Sequence, residues 1–337
     1  MIAASSETNP LGLSFEEFRA RYPLGNRQTL RAEYLRYLTG PLGESSSKIH
    51  PIVRDLRDGD LIKFVQGGPD GLEIESVLIP MWRKGREWTS LCVSSQVGCA
   101  MGCTFCETAQ LGRLRDLTAA EIVGQLVAAR SHYQADVSNV VFMGMGEPFD
   151  NFDQVIQAVR VMTDPLGLSL GMSRITISTV GRIDGIRRLA ALGWRRINLA
   201  ISLNAPNDEI RSRIMPINRA EPMSELRRAM LDYPLRKTQF LMIEYVLIPG
   251  VNDAREHAFE VAEYLRGIKC CLNVIPYNPR TNSPWPAPTE DSVQAFLGWL
   301  QEAGQFCKKR ITKGREHMAA CGQLGNRALR RGLALET

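Results

Sequence analysis

Three cysteines lie close together in the sequence CAMGCTFC, where Cys99, Cys103 and Cys106 are spaced by four and three residues. Thiolates in such a loop bind an iron–sulfur cluster or a zinc ion, and both kinds of centre normally take four ligands. Only His132 adds a Cys or His in the fifty residues that follow. A four-iron cluster on three thiolates keeps one iron open for a substrate or cosubstrate, and the spacing favours this interpretation. A zinc site completed by a distant Cys or His is the alternative.

The composition is that of an ordinary globular protein, with 337 residues of which 44% are hydrophobic and 23% charged. This length suits one large α/β domain with appendages, or two domains. No apolar run approaches the roughly 20 residues that span a bilayer, and no basic segment precedes an apolar core at the N-terminus. We therefore expect a cytoplasmic protein without a membrane partner, whose eight cysteines stay reduced. The net charge of +5 is compatible with a polyanionic partner but does not predict one.

From residue 90 onward, short β-rich runs alternate with helical stretches. Six strand–helix units in series predict a parallel sheet with right-handed crossovers. A closed eight-stranded barrel needs two more units, so we predict an α/β fold with a partial (β/α)6 barrel. The predicted strands are residues 90–96, 139–144, 174–179, 197–203, 240–248 and 271–277, and the predicted helices lie near 119–131, 152–163, 184–192, 222–232, 254–267 and 290–304.

The segments that flank this core have other patterns. FEEFRARY and LRAEYLRYL, within residues 1–50, predict amphipathic helices, and residues 60–80 predict a β-hairpin with the turn GGPDG. MWRKGREW, residues 81–88, is interpreted as an insertion whose basic and aromatic side chains contact RNA, or as a solvated loop. We divide the chain into an N-terminal helical and β-hairpin extension (1–80), a core (85–315), and a C-terminal loop with a basic tail (316–337).

Polar motifs follow several of the predicted strands. GMGEP at 144–148 follows the second strand, Ser178 closes the third, SLNAPND at 202–208 follows the fourth, and IPYNP at 275–279 follows the sixth. In barrels of this kind the chemistry takes place at the carboxyl ends of the strands. The motifs therefore fall where an active site is expected.

Six motifs in one order point to a family. CVSSQVGCAMGCTFCETAQLG, GMGEP, SLNAPND, EYVLIPGVND, IPYNP and ACGQLGN lie within residues 72–326. Together they resemble the RlmN/Cfr family of radical S-adenosylmethionine (SAM) RNA adenine methyltransferases. The resemblance implies that Cys99, Cys103 and Cys106 hold a [4Fe–4S] cluster whose open iron binds SAM. One electron from the cluster then splits SAM into methionine and a 5′-deoxyadenosyl radical, while the protein positions the reactants.

The resemblance also implies a second role for SAM. Its methyl group moves to Cys321 in the C-terminal loop, and the radical removes a hydrogen atom from the S-methyl group. The carbon radical adds to an adenine ring carbon, which is too electron-poor to attack SAM as a nucleophile. Cys92 corresponds to the cysteine that releases Cys321 through a transient disulfide. Glu75 corresponds to a glutamate proposed as proton acceptor, and either Glu75 or Cys92 is the base.

The resemblance further implies a set of SAM contacts at the strand ends. A carboxylate facing an ammonium is a strong charge-assisted contact, so Glu147 would bind the SAM amino group. Asn204 departs from the pattern, because the family usually has histidine there. An asparagine keeps a hydrogen bond but carries no proton near neutral pH. The implied contacts are Gly146, Glu147, Ser178, Ser202, Asn204 and Asn278.

The implied partners are an RNA substrate, either rRNA or tRNA, and an external electron donor such as flavodoxin or ferredoxin, and we expect a monomer. Residues 1–50 match the helical RNA-binding domain of the family poorly, which leaves the RNA target open. The basic residues that suit either phosphate contacts or a solvated face are Arg187, Arg188, Arg195, Arg196, Lys308, Lys309, Arg310, Lys313, Arg315, Arg327, Arg330 and Arg331.

The predicted reaction is methylation of adenine at C2, and C8 is the runner-up position. A radical SAM enzyme acting on a protein or a small molecule is an alternative from another class. The third interpretation is a non-catalytic metal-binding or RNA-binding module. It would be favoured if anaerobic reconstitution with iron and sulfide gave no cluster and no cleavage of SAM.

Overall fold

The computed structural model describes residues 9–23, 25–39, 49–83, 85–310 and 322–325. Its main feature is a ten-stranded sheet of order β1-β2-β3-β4-β7-β8-β9-β10-β11-β12. The first four strands pair antiparallel, and β4 begins a parallel series that runs to β12. The strands are β1 (Ile52–Asp58), β2 (Leu61–Gly67), β3 (Glu73–Arg83), β4 (Arg86–Cys92), β7 (Val137–Phe142), β8 (Ile175–Thr179), β9 (Asn198–Ser202), β10 (Leu241–Leu247), β11 (Cys270–Pro276) and β12 (Cys307–Lys309).

The helices connect the parallel strands, and the predicted α/β fold is confirmed. Every predicted strand–helix unit is present, with boundaries shifted by a few residues. Additional elements include a short helix after β9 (Asp208–Ile214) and β12, which adds a seventh parallel strand. The helices are α1 (Phe15–Arg21), α2 (Arg27–Thr39), α3 (Ala119–His132), α4 (Phe152–Thr163), α5 (Ile183–Ala191), α6 (Asp208–Ile214), α7 (Met223–Asp232), α8 (Arg255–Leu265) and α9 (Glu290–Glu302).

The first predicted parallel strand, 90–96, is wrong at its C-terminal end. β4 stops at Cys92, and the chain then forms a separate two-stranded sheet from β5 (Gln96–Gly98) and β6 (Arg113–Asp116). At this point side-chain hydrogen bonds replace the backbone hydrogen bonds between strands. The Ser94 amide donates to the Gln125 side-chain oxygen over 2.8 Å, and the Ser94 hydroxyl donates to the Glu75 carbonyl over 2.6 Å. The small sheet brackets the loop that carries the three clustered cysteines.

The segment MWRKGREW forms a β-hairpin rather than a loop, and most of its described side chains are exposed to solvent, so both RNA contact and a solvated surface remain open. β3 continues to residue 83, and β4 begins at residue 86 and pairs with it antiparallel, with Met81 opposite Trp88 and Trp82 opposite Glu87. Gly85 has a φ of +76°, which suits a tight turn. Trp82 remains 67% exposed at the tip of this hairpin, where an aromatic ring is available to a partner.

The N-terminal segment packs on the core. Both predicted helices are present as α1 and α2, and Phe15 and Tyr34 belong to the same buried apolar cluster as residues of α3 and α4. The predicted hairpin is present as β2 and β3, but β1 precedes it and all three strands continue the main sheet. The proposed division at residue 80 is a prediction that these contacts do not test. No helix in the described ranges is both long and apolar enough to cross a membrane.

Candidate active site

An open cavity lies at the carboxyl ends of the parallel strands and has about 1060 Å³ of empty space. Its walls are mainly apolar with a few converging polar groups, as in pockets for cofactors and small molecules. The cavity brings together residues from distant parts of the chain, from Cys99 to Leu324. The predicted site residues that line it are Cys99, Cys103, Cys106, Gly146, Glu147, Ser178, Ser202, Asn204 and Asn278.

The cysteine loop between β5 and β6 is held at both ends. The Cys99 amide donates to the Gly112 carbonyl, and the Thr104 amide donates to the Ile214 carbonyl at the end of α6, each over 2.9 Å. Gly98 has a φ of +77°, and a Cβ there would lie 1.8 Å from the Gly112 carbonyl oxygen. Only glycine therefore permits this close approach of the two strands, which starts the loop on its course around the cavity.

The chemistry of the three thiols suits an iron–sulfur cluster. Burial raises the pKa of Cys99 to about 12, and it also raises the pKa of Cys103 and of Cys106. The thiols stay protonated without a metal, so metal binding must release protons. Among the described residues, no group of three or more His, Cys, Asp and Glu side chains is arranged to hold a single metal ion. The three cysteines line the same cavity, which is the arrangement that a cluster with three thiolate ligands requires.

Glu147 is a buried carboxylate fixed by backbone donors. One oxygen accepts from the Val180 amide over 2.8 Å and the other from the Phe149 amide over 3.1 Å. Burial raises the pKa of Glu147 to about 7. Gly146, with a φ of +102°, approaches so closely that a Cβ would lie 2.7 Å from the Gln96 Cβ. The backbone of GMGEP is thereby held against β5, and a carboxylate of intermediate basicity lines the cavity.

Asn204 has a structural task at the end of β9. Its φ is +58°, a conformation that asparagine tolerates better than most residues. The side-chain oxygen accepts from the Val246 amide over 2.9 Å, and the Asn204 carbonyl accepts from the Asn252 side chain over 2.7 Å. The asparagine in place of histidine thus joins the ends of β9 and β10, and its amide carries no titrating proton.

Glu75 and Cys92 lie outside the cavity wall, beside the short C-terminal segment 322–325. The Glu75 carboxylate is buried, lies 2.7 Å from the Lys63 ammonium and accepts from the Gly325 amide over 3.2 Å. Cys92 is buried in a small apolar cluster that includes Leu324. Lys63 was not predicted as a site residue, although a lysine within the apolar run LIKFV indicates a buried charge that needs a partner.

The segment 322–325 is docked on the cysteine loop. The Glu107 amide donates to the Gly322 carbonyl over 2.7 Å, and the Thr108 hydroxyl donates to the Leu324 carbonyl over 2.6 Å. Gly322 and Leu324 line the cavity. Cys321 itself lies outside the described residues, as do the basic residues Lys313, Arg315, Arg327, Arg330 and Arg331.

A polar group on the opposite wall was not predicted. Glu244 on β10 accepts from the Asn273 side chain over 3.0 Å and pairs with Arg310 over 3.4 Å, and both Glu244 and Arg310 line the cavity. Glu244 is the one acidic residue in the strand LMIEYVL, which is the signal that was available in the sequence. Arg310 was interpreted only as a basic residue for phosphate contacts.

Several other residues of the predicted basic set form ion pairs with carboxylates or lie far from the candidate active site. Arg188 pairs with Asp153 over 2.7 Å, and Lys309 pairs with Glu290. Arg195 and Arg196 line a second cavity at the amino ends of the parallel strands, away from the cysteine loop. Some of these basic residues therefore do not contact phosphate groups next to the candidate site.

Known proteins share this fold. The family model described as the radical SAM superfamily matches residues 93–262. A crystal structure of a radical SAM methyltransferase from Sphaerobacter thermophilus is similar over 93% of this chain and 98% of its own, with a TM-score of 0.85 and 35% identity. The fold and the loop of three thiols define a radical SAM protein.

Within that superfamily, the chain belongs to the RlmN/Cfr family. A probable dual-specificity RNA methyltransferase RlmN from Protochlamydia amoebophila is 47% identical over 281 residues, which are 83% of this chain and 77% of that protein. The dual-specificity RNA methyltransferase RlmN from Syntrophotalea carbinolica is 43% identical over 271 residues, covering 80% and 71%. The family inferred from the six motifs is confirmed.

Proposed function

We propose that this protein is a SAM-dependent RNA methyltransferase that methylates C2 of adenine in rRNA, tRNA or both, through an S-methylcysteine at Cys321. The observation that carries the proposal is the docking of residues 322–325, which directly follow Cys321, on the loop of the three thiols. Glu75 and Cys92 flank the same segment. The sheet would therefore carry, at one end, the methyl-carrying cysteine, the cluster that generates the radical, the base and the thiol that releases the product.

The residues of the cavity fit the two cofactors of the family. Cys99, Cys103 and Cys106 would hold a [4Fe–4S] cluster, which supplies the electron that splits SAM. Glu147 would accept hydrogen bonds from the SAM ammonium. The hydroxyl and amide groups that would orient the rest of SAM are those of Ser178, Ser202 and Asn278.

The residues beside the C-terminal segment would handle the later steps. The Cys321 thiolate would take the methyl group of SAM, which would leave as S-adenosylhomocysteine. Glu75 would accept the ring proton from the radical adduct, with Cys92 as the alternative base, and the unpaired electron would pass to the cluster or to the electron-carrier protein. The Cys92 thiolate would then attack the Cys321 sulfur, so that a disulfide forms, the bond between that sulfur and the methylene carbon breaks, and the carbon takes up a proton to become the methyl group of the released RNA.

Mass spectrometry of nucleosides tests the reaction. We expect 2-methyladenosine to be absent from the RNA of cells that lack this protein and to return when the gene is restored. Unchanged 2-methyladenosine with lost 8-methyladenosine would support methylation at C8 instead. No change in either nucleoside would favour a radical SAM enzyme with another class of substrate. A one-electron protein donor such as flavodoxin or ferredoxin, a monomeric state and a cytoplasmic location complete the proposal.

The raised pKa of Glu147 predicts that SAM binding weakens as the pH falls. A carboxyl group with a pKa of about 7 is mostly ionised at pH 8 and mostly protonated at pH 6, and only the ionised form attracts the SAM ammonium. We expect the affinity for SAM to fall about tenfold between these pH values, and binding at pH 6 to release a proton from Glu147. Isothermal titration calorimetry of the reconstituted protein measures both.

The matched variants for this test are Glu147→Gln and Glu256→Gln. The first should bind SAM weakly with a flat pH profile between 6 and 8. The second removes an exposed carboxylate at the start of α8 and should keep the wild-type profile. A Glu147→Gln protein with the wild-type pH profile would show that another group controls binding.

A further inference from the structure

Arg211 is a fully buried cation whose bonds go to neutral oxygens. Its side chain on α6 is 1% exposed. It donates to the Leu203 carbonyl over 3.1 Å, to the Ser202 carbonyl over 3.2 Å, to the Val180 carbonyl, and to the Asn218 side-chain oxygen over 2.9 Å. A buried charge without an anionic partner in contact is costly, so a charge kept in this form needs a reason.

The carbonyls that Arg211 binds belong to the strand ends that line the active-site cavity. Val180 directly follows β8, and Ser202 and Leu203 are at the end of β9. Ser178 and Ser202, on these same strand ends, are predicted SAM contacts. The guanidinium therefore joins the ends of two neighbouring strands at the cavity wall.

The helix that carries Arg211 also supports the cysteine loop. The Thr104 amide donates to the Ile214 carbonyl, and Cys103 is buried in one apolar cluster with Ile214 and Met215. Arg211 and Ile214 are three residues apart on α6, so their side chains lie on the same face of the helix. Burial lowers the pKa of the Arg211 guanidinium, as expected for a charge whose hydrogen bonds go to neutral groups. Arginine stays protonated nonetheless.

We propose that Arg211 is a positioning residue that also supplies a fixed positive charge behind the cysteine loop, and that this charge raises the reduction potential of the cluster held there. Reduction adds one electron, from a one-electron protein donor, to a group that is already anionic with its three thiolates. A buried positive charge stabilises the more negative, reduced state, because the low dielectric of the interior screens it little. No bond is made or broken in this step. The inference rests on the proposed function only in requiring the cluster.

Three variants separate the charge from the shape of the side chain. Arg211→Gln keeps a hydrogen-bond donor and removes the charge, Arg211→Met removes both, and Arg211→Lys keeps the charge. Arg130→Met is the matched control, since Arg130 on α3 is a partly buried arginine that donates to the Val137 carbonyl at the amino end of the sheet. Each protein is reconstituted anaerobically with iron and sulfide, and its iron content is measured first.

The readout is the midpoint potential of the cluster, from a redox titration followed by electron paramagnetic resonance without SAM. For Arg211→Gln and Arg211→Met we expect the equilibrium to shift tenfold toward the oxidised cluster, which is a lowering of about 59 mV for one electron. Arg211→Lys and Arg130→Met should keep the wild-type potential. Arg211 also joins the ends of β8 and β9 through its hydrogen bonds. We therefore expect a second effect: the affinity for SAM should be several-fold weaker in all three Arg211 variants but not in Arg130→Met.

Two results would overturn the inference. One is a wild-type potential in an Arg211→Gln or Arg211→Met protein with full iron content. The other is a midpoint potential that is lowered equally in Arg211→Lys and Arg211→Gln. That result would mean that the shape of the side chain matters and not its charge. Should the uncharged variants fail to fold, a lowered potential in Arg211→Lys alone would already contradict the role of the charge. A wild-type protein that cleaves SAM but methylates no RNA would instead refute the proposed function and leave this inference standing.

Discussion

Replacing Cys92 by alanine should trap the protein on its RNA. After the methyl-derived carbon has joined the adenine ring, a thioether links Cys321 to the RNA, and only a second thiol can release it by forming a disulfide. Cys92 stands at the end of β4 in the apolar cluster that includes Leu324, three residues beyond Cys321. We expect free methylated RNA to fall by about a hundredfold or more, while a covalent complex accumulates.

Denaturing gel electrophoresis detects that complex as a slowly migrating band that ribonuclease removes. Cys271→Ala is the matched control, because Cys271 is also a buried strand cysteine but lies on β11 outside every motif. It should turn over like the wild type and give no covalent band. Normal turnover by the Cys92→Ala protein would mean that another thiol releases the product. Loss of turnover without a covalent band would place Cys92 before adduct formation.

Replacing Cys321 by alanine should abolish methylation and leave the cofactor site intact. The residues that follow Cys321 are bound to the cysteine loop through Glu107 and Thr108, so the methyl carrier would be presented beside the thiols. Without the carrier the radical has no methyl group from which to take a hydrogen atom. We expect a loss of about a thousandfold or more in methylated RNA, as when a covalent nucleophile is removed. Iron content and SAM affinity should stay at wild-type values.

Peptide mass spectrometry gives an independent readout of the same step. Incubation with SAM and no reductant should add one methyl group to the peptide that contains Cys321 in the wild type. The Cys321→Ala protein should carry no methyl group, whereas Cys307→Ala, which removes a buried thiol on β12, should be methylated like the wild type. Methylated RNA from the Cys321→Ala protein, or a methyl group on another cysteine, would contradict the proposed mechanism.

The local patterns of the sequence were sufficient for the fold class and for most of the cavity wall. Six strand–helix units, three closely spaced cysteines and the motifs after the strands are all local signals. Parallel strands end at the same edge of a sheet, so residues that follow them must meet there. The strand pattern therefore predicts that the motifs containing Glu147, Ser178, Ser202 and Asn278 share one edge of the sheet, and the family resemblance singles out these four residues, which line one cavity.

The irregular elements were harder to predict because their cause is not local. β4 stops at Cys92 because Gln125, more than thirty residues away, takes the hydrogen bond of the Ser94 amide. The segment MWRKGREW has no apolar alternation, yet it forms a hairpin because β3 and β4 are already paired at their other ends. Asn204 was a departure from the family pattern in the sequence, and its hydrogen bond to the Val246 amide shows a structural task.

The sequence by itself determined the close spacing of the three cysteines, the parallel α/β core and the family, because these depend on spacing and order along the chain. Only the tertiary structure decided how buried charges are matched. It placed Lys63 against Glu75, Arg310 against Glu244, and Arg211 against carbonyls behind the cysteine loop. The physical reason is that the energy of a buried charge depends on the groups that surround it in space, and those groups come from strands far apart in the chain.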